Sequence, residues 1–532
     1  MTRRLPPIAV LIFAAIVPLL AMIPTWQGYH TQQPPDKVFL GFRYMAGDHY
    51  QYAALMRQAQ FEGRFLMENR YTTEPQKRVY IFLYYWLLGS LAGVSGASLI
   101  VMWEVFRWIG GALYILAFWR LTAHFLEDER RRVFATGLFC FAGGMDWIVT
   151  ALRYMGLNAV KPLEYPYDYY WNWCTFGTML VPNWVWPALV WTLICLILLS
   201  RSRLRDAGVF ALPPIIWGIH HHTALVVYLC LGLLPLMPLI VAAARLQPLD
   251  WKRARSNLRL ALPGLLSFAL VAAYLLWARQ DLVFRLNAAM TMEWKVFFTV
   301  WWYPLSYGLL LPLAWFGMKE LAQENGLPRD LVFSWLMASV VLSLNPLAGG
   351  AKYQYLVFPP LALVAARGYG HLQRNAPAVR RLLKAPPVVA VCGLLLFMNA
   401  PVSLVKDLPT VKDDAEIHAT SDELEAMTWL AAQPEGIVLS SYRMGHLIPW
   451  LSGKTVYAGH WFMTLNLNEK VTEERYLFSN QVPLDYKKAI LRKTGARYLF
   501  EGPSEAPMGK LDPNLPLSKV HGNATVTVYE VR

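Results

Sequence analysis

Apolar runs recur along this chain from its first residues to about residue 402, and short basic gaps separate them. The runs cover 6–25, 98–122, 133–151, 183–200, 207–219, 223–244, 259–277, 297–317, 331–346, 353–370 and 386–402. A helix needs ~20 mostly apolar residues to cross the hydrocarbon core of a bilayer. These eleven runs predict an α-helical polytopic membrane protein, although several are short and 207–219 is the weakest. The chain is 56% hydrophobic and 16% charged, with a mean hydropathy of +0.32. A soluble domain is roughly 25% charged. Disordered, collagen-like and disulfide-scaffold chains are excluded, and the balance argues against a cytosolic enzyme.

The net charge of +14 invites a nucleic-acid reading, but its distribution rejects it. Residues 1–402 carry +16 and residues 403–532 carry −2. Basic residues concentrate in short gaps: Arg130–Arg132, Arg201/Arg203/Arg205, 245–259 and 367–384. That is how a multi-pass protein marks its cytoplasmic side. A nucleic-acid site needs a continuous basic soluble face. The five cysteines (Cys140, Cys174, Cys195, Cys230, Cys392) form no CxxC pair and read as small apolar residues.

The first run follows Met1-Thr2-Arg3-Arg4 and contains Pro6, Pro7, Pro18 and Pro24. A signal peptide is the competing reading; the run is long and lacks a clear cleavage site, so it reads as the first membrane helix, N-terminus inside. Residues 79–94 then decide the parity. If they span, every later basic gap moves outside. If they lie at the interface, all large basic gaps stay inside, and Tyr80, Tyr84, Tyr85 and Trp86 suit the boundary layer. The outside then holds loops at 26–97, 152–182, 278–296 and 347–352, together with the C-terminal tail. This places the protein in the cytoplasmic (inner) membrane with an extracytoplasmic C-terminus.

The tail has soluble patterning. Asp422–Ala432 reads as an amphipathic helix with Ser421 as N-cap and Leu424, Met427 and Leu430 on one face. Gly436–Ser441, Ala496–Glu501 and Thr525–Val531 read as strands. Two domains are expected: a membrane domain over 1–402 and a small α/β domain over 403–532.

The first outer loop carries Gly41-Phe-Arg-Tyr-Met-Ala-Gly-Asp48-His49-Tyr50-Gln51-Tyr52 and continues to Glu74-Pro75-Gln76-Lys77-Arg78. Tyr52, Leu55, Met56 and Ala59 share a helical face, and the helix ends at Glu62-Gly63. It can lie flat on the outer leaflet. Asp48-x-x-Gln51 is a capping-box pattern, so Asp48 has a structural reading as an N-cap. It has an equal chemical reading as a proton acceptor from a hydroxyl.

An outer loop after the first membrane helix, an Asp that opens a surface helix, and a second aromatic helix beyond Pro75 resemble the GT-C superfamily. These are polytopic glycosyltransferases that use lipid-phosphate-linked sugars; relatives include protein O-mannosyltransferases, the lipid A aminoarabinose transferase and oligosaccharyltransferase. The resemblance implies that Asp48 is catalytic base or metal ligand, that the donor is a polyprenyl-phosphate sugar, and that a lipid, glycan or protein accepts it. It leaves a divalent metal possible and its ligands unknown. Many relatives carry Asp-Glu where this chain has Asp48-His49. Oligosaccharyltransferases carry Asp-x-Asp in the second outer loop, where this chain has Glu164 and Asp168. Their Trp-Trp-Asp signature is missing; the nearest match is Trp301-Trp302-Tyr303.

A lipid-phosphate donor requires cations near the outer interface. Lys77, Arg78, Lys352 and His221 are the candidates for the phosphate, with Arg57 and Arg70 behind them. Lys352 follows Gly349-Gly350-Ala351, and His221 lies in His220-His221-His222. Anchoring to headgroups, snorkelling and interfacial hydrogen bonding are the structural alternatives. Three successive His point in different directions on a helix, so they are not expected to form a metal site alone. Glu74, Glu164, Asp168 and His460 are candidate sugar or acceptor contacts. His460 belongs to the second of two Gly/His/aromatic clusters, Ser440-Ser441-Tyr442-x-x-Gly445-His446 and Tyr457-Ala458-Gly459-His460-Trp461. The competing functions are a transporter or lipid flippase, for which Glu104 and Arg107 are the intramembrane charges, and an assembly protein that binds envelope partners through the tail.

Overall fold

A computed structural model describes residues 5–31, 34–43, 45–157, 174–200, 202–293, 302–344, 350–406 and 416–532. The chain divides into two compact units. The first comprises residues 1–24, 104–274 and 292–409, and the second comprises 25–103, 275–291 and 410–532.

The first unit is helical. Among the described residues of the whole chain, Leu99–Thr122, Pro182–Leu199 and Trp251–Ala278 are each long and apolar enough to cross a membrane. The number rises to five if two broken pairs each count as one span. One of these is His221–Leu233 with Met237–Ala244, bent by 61°. Eleven spans were expected; among the described residues other runs form shorter or more polar helices, such as Pro386–Phe397 and Arg205–Ile219, and residues 297–301 of one run lie outside the described residues. Leu310–Gln323 and Phe358–Asn375 touch backbone to backbone. A Cβ at Gly317 would lie 1.9 Å from the Val364 carbonyl oxygen, and one at Gly368 would lie 1.8 Å from that of Leu313. Small residues at a helix crossing are how apolar helices approach closely without a hydrophobic driving force. At the end of the same pair, Arg374 and His371 converge on Glu320 at 2.9 and 3.1 Å. Glu104 and Arg107 pair at 3.1 Å, as their spacing predicts, and Arg107 also donates to the Ala21 carbonyl. The described cysteines are all free thiols.

The second unit combines the first loop with the tail. Its elements are β1 (Lys37–Phe39), α1 (Ala46–Glu62), α2 (Leu83–Ser95), β2 (His418–Thr420), α3 (Ser421–Ala431), β3 (Ile437–Leu439), α4 (Tyr442–Leu451), β4 (Thr455–Val456), α5 (Leu467–Phe478), α6 (Leu484–Thr494), β5 (Tyr498–Glu501), β6 (Leu517–Gly522) and β7 (Thr527–Val531). Strand β1 of the loop pairs antiparallel with β2 of the tail, Val38 opposite Ala419. The tail sheet has the order β4-β3-β5-β7-β6. Its first three strands are parallel, and β7 runs antiparallel to both β5 and β6. Leu477 and Phe478 of α5 and Ile490 and Leu491 of α6 cover Leu439 and Leu499 of the sheet. Val526 and Val528 are buried, as the alternation of the last strand predicts.

Two expectations about helix starts change. The cap of α3 is Thr420, one residue before the expected Ser421. Thr420 Oγ1 accepts from the Glu423 N–H at 3.1 Å, and the Glu423 carboxylate accepts from the Thr420 N–H at 2.8 Å. This is a complete capping box. Helix α1 begins at Ala46 behind Met45, whose φ is +44°, with no side-chain cap. Asp48 therefore lies inside the first turn and does not cap it.

The flat, two-faced reading of α1 also changes. Leu55, Met56 and Ala59 are buried, but so are Gln51 and Gln58. Gln58 exchanges two hydrogen bonds with the Glu68 backbone at 3.0 Å each, so protein encloses its polar face too. Helix α2 seats against α1 through glycine: a Cβ at Gly89 would lie 2.1 Å from the Met56 carbonyl oxygen. The expected stop of α1 is present, with Gly63 in the left-handed conformation at φ +63°.

Candidate functional site

Asp48 sits where the positive end of the α1 dipole favours an ionised carboxylate. Its Oδ1 lies 3.0 Å from Nε2 of His460. The Asp48 side chain is 21% exposed and that of His460 is 1% exposed.

Glycine packing brings the two histidine motifs of the tail together. A Cβ at Gly445 would lie 1.9 Å from the Ala458 carbonyl oxygen, and one at Gly459 would lie 2.4 Å from that of Gly445. The start of α4 thus touches the chain leaving β4, with the His446 and His460 rings 5.5 Å apart. A Cβ at Gly47 would lie 3.0 Å from the His446 ring, so the first turn of α1 also closes on this cluster. Tyr71 meets the edge of His460 at 5.8 Å and donates its hydroxyl to the His446 carbonyl at 3.1 Å. Trp461 stacks beside His460 at 6.0 Å and is 44% exposed.

The turn that carries His460 is tied at several points. The Gly459 N–H donates to Thr464 Oγ1 at 3.1 Å, and Thr464 donates to the Tyr71 carbonyl at 2.8 Å. Asn287 donates to the Phe462 carbonyl at 3.1 Å, and Asn69 donates to that of Met463 at 2.7 Å. His49 turns away into an aromatic cage. It stacks on Phe42 at 5.3 Å and meets Trp103 edge-on at 5.1 Å.

Glu74 is engaged by the buried Lys470 at 2.8 Å and also accepts from Thr72. The Lys77 N–H donates to Asp281 at 2.6 Å, and Arg78 pairs with Glu68 at 3.2 Å. Both side chains are exposed. Arg70 is buried between Glu62 and Glu68. Glu164 and Asp168 lie outside the described residues.

The first unit holds the other candidates. His220 caps the helix that starts at His221, and its Nδ1 lies 2.8 Å from Thr223 Oγ1. Tyr355 bonds to Thr223 and stacks on Trp184 at 5.3 Å. Tyr353 meets His222 at 5.6 Å. The 3₁₀ turn Gly350–Leu356, which carries Lys352, therefore packs on the histidine turn. His221 is exposed and His222 is buried. Gln354 is fully buried, and among the described residues neither of its amide atoms has a hydrogen-bond partner. Sequence reasoning left His446, Tyr71 and Gln354 out of the candidate set. The spacing Gly445-His446 and Gly459-His460 was the available signal for the first.

The protein environment in the tail shifts two carboxyls up and one imidazole down, with opposite effects on stability. Burial pushes the Glu505 carboxyl up to about 7, although the N–H groups of Ser441 and Gly502 donate to it at 2.7 and 2.9 Å. Glu474 is pushed well above the usual range in the same way. Burial, aided by the neighbouring His460, pushes His446 down to about 3. A raised carboxyl contributes stability that is complete below its ordinary 4.5 and lost as pH rises through about 7. A depressed imidazole contributes stability that is complete above 6.5 and lost as pH falls toward 3. The stability advantage of the wild type over Glu505→Gln is therefore expected to shrink by roughly 3 kcal/mol between about pH 4 and pH 8. Unfolding midpoints of the two full-length proteins across that range check this; parallel pH dependences would refute it.

Among the described residues, no group of three or more His, Cys, Asp or Glu side chains is placed to hold a metal ion.

No protein-family model and no curated relative matches the sequence. Solved structures do. The apo oligosaccharyltransferase of Archaeoglobus fulgidus superposes with a TM-score of 0.57 at 13% identity, over 93% of this chain and 69% of that one. ArnT from Cupriavidus metallidurans gives 0.54 at 14% identity, over 98% and 97%. The arabinofuranosyltransferase AftD from Mycobacteria gives 0.53 at 15% identity, over 97% of this chain and 40% of that one. These structural neighbours are glycosyltransferases of the GT-C type. At such identities the likeness is one of architecture: the chain has the GT-C fold of these membrane glycosyltransferases.

Proposed function

We propose that this protein is a multi-pass membrane glycosyltransferase that moves a sugar from a polyprenyl-phosphate donor to an acceptor hydroxyl on the outer face of the cytoplasmic membrane. The observation that carries the reading is a partly exposed loop carboxylate, Asp48, held in a first helical turn against an imidazole, in a chain with the GT-C fold. Asp48 takes the acceptor proton as the hydroxyl oxygen attacks the anomeric carbon. The bond from that carbon to the phosphate oxygen breaks, its electron pair leaves with polyprenyl phosphate, and the configuration inverts. The growing phosphate charge calls for cations. Lys77 and Arg78, which belong to the same unit as Asp48, are the proposed partners. One Archaeoglobus fulgidus structure contains an inhibitory peptide and a dolichol-phosphate, which supports a lipid-linked donor by analogy of fold. The eleven-span topology, with 1–402 as membrane domain and 403–532 outside, belongs to the same proposal. Glu104 and Arg107 pair at 3.1 Å and so do not favour the alternative transporter reading.

The test uses the purified full-length chain in nanodiscs. It is offered undecaprenyl phosphate linked to ¹⁴C-labelled pentoses and hexoses, with an envelope extract as acceptor. Labelled product and released undecaprenyl phosphate are expected for at least one donor. Failure to consume any of them would overturn the reading.

A further inference from the structure

We propose that His460 is a positioning residue: a neutral imidazole, protonated at Nε2, that holds the Asp48 carboxylate, so that the C-terminal segment builds part of the reaction centre. The inference rests on the reading of Asp48 as the base.

Hydrogen-bond bookkeeping fixes which partner reacts. A neutral imidazole has one donor nitrogen and one acceptor nitrogen. The Phe462 backbone N–H, which can only donate, lies 3.2 Å from His460 Nδ1. Nδ1 is therefore the acceptor and Nε2 carries the proton. Nε2–H then donates to Asp48 Oδ1 at 3.0 Å. Because Nδ1 is occupied by backbone and the ring is 1% exposed, His460 has no lone pair to offer a substrate hydroxyl. Roles are thereby divided: the carboxylate is the reactive group and the imidazole orients it. A donor to one carboxylate oxygen restrains rotation of the group and favours its ionised form. The groups facing His460 do not compete for this task. Tyr71 meets it by ring edge, His446 is a second, half-buried imidazole, and Trp461 stacks beside it.

The mount is rigid for a physical reason. The ties of the 459–464 turn come from the first loop (Asn69, Tyr71) and from Asn287, not only from the tail. The imidazole is thus referenced to the same loop that carries Asp48. A loop carboxylate on a mobile chain would lose the alignment that proton abstraction needs, and misplacement by about 1 Å can cost ~100-fold in rate.

Two measurements on the full-length protein test this. In liposomes, magic-angle-spinning NMR of the ¹⁵N-histidine-labelled chain reads the tautomer directly, with His460 identified by the resonances missing from His460→Gln. A protonated Nε2, an unprotonated Nδ1 and a shift of the Nε2 resonance in Asp48→Asn are expected. The opposite tautomer, or no response to Asp48→Asn, overturns the proposal. In the transfer assay, His460→Ala is expected to lower kcat by about 100-fold while the donor KM stays within about twofold. His460→Gln, whose amide N–H can replace Nε2–H, is expected to recover most of that loss. An unaffected kcat in His460→Ala, or a Gln variant as poor as Ala, also overturns it. If the wild type transfers from no donor, the proposed function fails, and the NMR result decides the pairing independently.

Discussion

Asp48→Asn is expected to lower kcat for sugar transfer by about 1000-fold, near the middle of the range for removing a general base. The substitution keeps the shape of the side chain. Its amide oxygen can still accept the Nε2–H of His460, so the contact at 3.0 Å survives in neutral form. What is lost is the charge and the capacity to take a proton. The melting temperature should therefore stay near that of the wild type, and donor KM should change little because the proposed phosphate partners are elsewhere in the sequence. Comparison of kcat, KM and melting temperature for the two proteins checks all three statements. An Asp48→Asn protein that transfers within tenfold of the wild type would remove Asp48 from the mechanism.

Gly445→Ala is expected to be the most damaging methyl group in the tail. The new Cβ would stand 1.9 Å from the Ala458 carbonyl oxygen, and the obstacle is backbone, which cannot swing aside as a side chain can. Overpacking usually costs 1–3 kcal/mol, so about 3 kcal/mol or more is expected here. The strand exit that must move carries Gly459 and His460, so kcat should fall together with stability. Gly495→Ala is the control. Gly495 has φ +58° with nothing within 4 Å of a Cβ, so it should cost only about 1 kcal/mol of backbone strain and leave transfer intact. Thermal unfolding and transfer rates of the two variants separate the effects. Equal destabilisation would show that the 445–459 contact can relax and does not fix the histidines.

Much of the organisation was legible in the residues because its causes are local. Gly63 stops α1 because a left-handed residue ends a helix. The last strand shows itself through the buried pair Val526 and Val528. Glu104 and Arg107 meet because they are one turn apart. The errors were also local in origin. Asp48-x-x-Gln51 and Ser421 both fit helix starts, and the actual caps lie three residues and one residue earlier, at Met45 and Thr420, which is enough to turn a cap into a first-turn side chain. The enclosed polar face of α1 was not legible, since Gln58 finds its partner in the backbone of Glu68, beyond the end of the helix.

Composition and hydrophobic periodicity were sufficient to separate a region of apolar helices from an α/β tail, because an apolar helix and a half-buried strand demand different residue periodicities over short windows. Asp48 and His460 stood out as separate candidates, the first from a helix-start pattern and a family resemblance, the second from a Gly/His/aromatic cluster. Their union depended on the fold. The two residues are 412 positions apart, and no pattern within a window of sequence can bring them together. Folding also gave Glu74 to Lys470, withdrew Arg70 into an acidic pair, and gave His460 Nδ1 to a backbone N–H. A hydrogen-bonding group can serve only as many partners as it has lone pairs or protons, so these tertiary choices determine which of the chemically able residues are left to react.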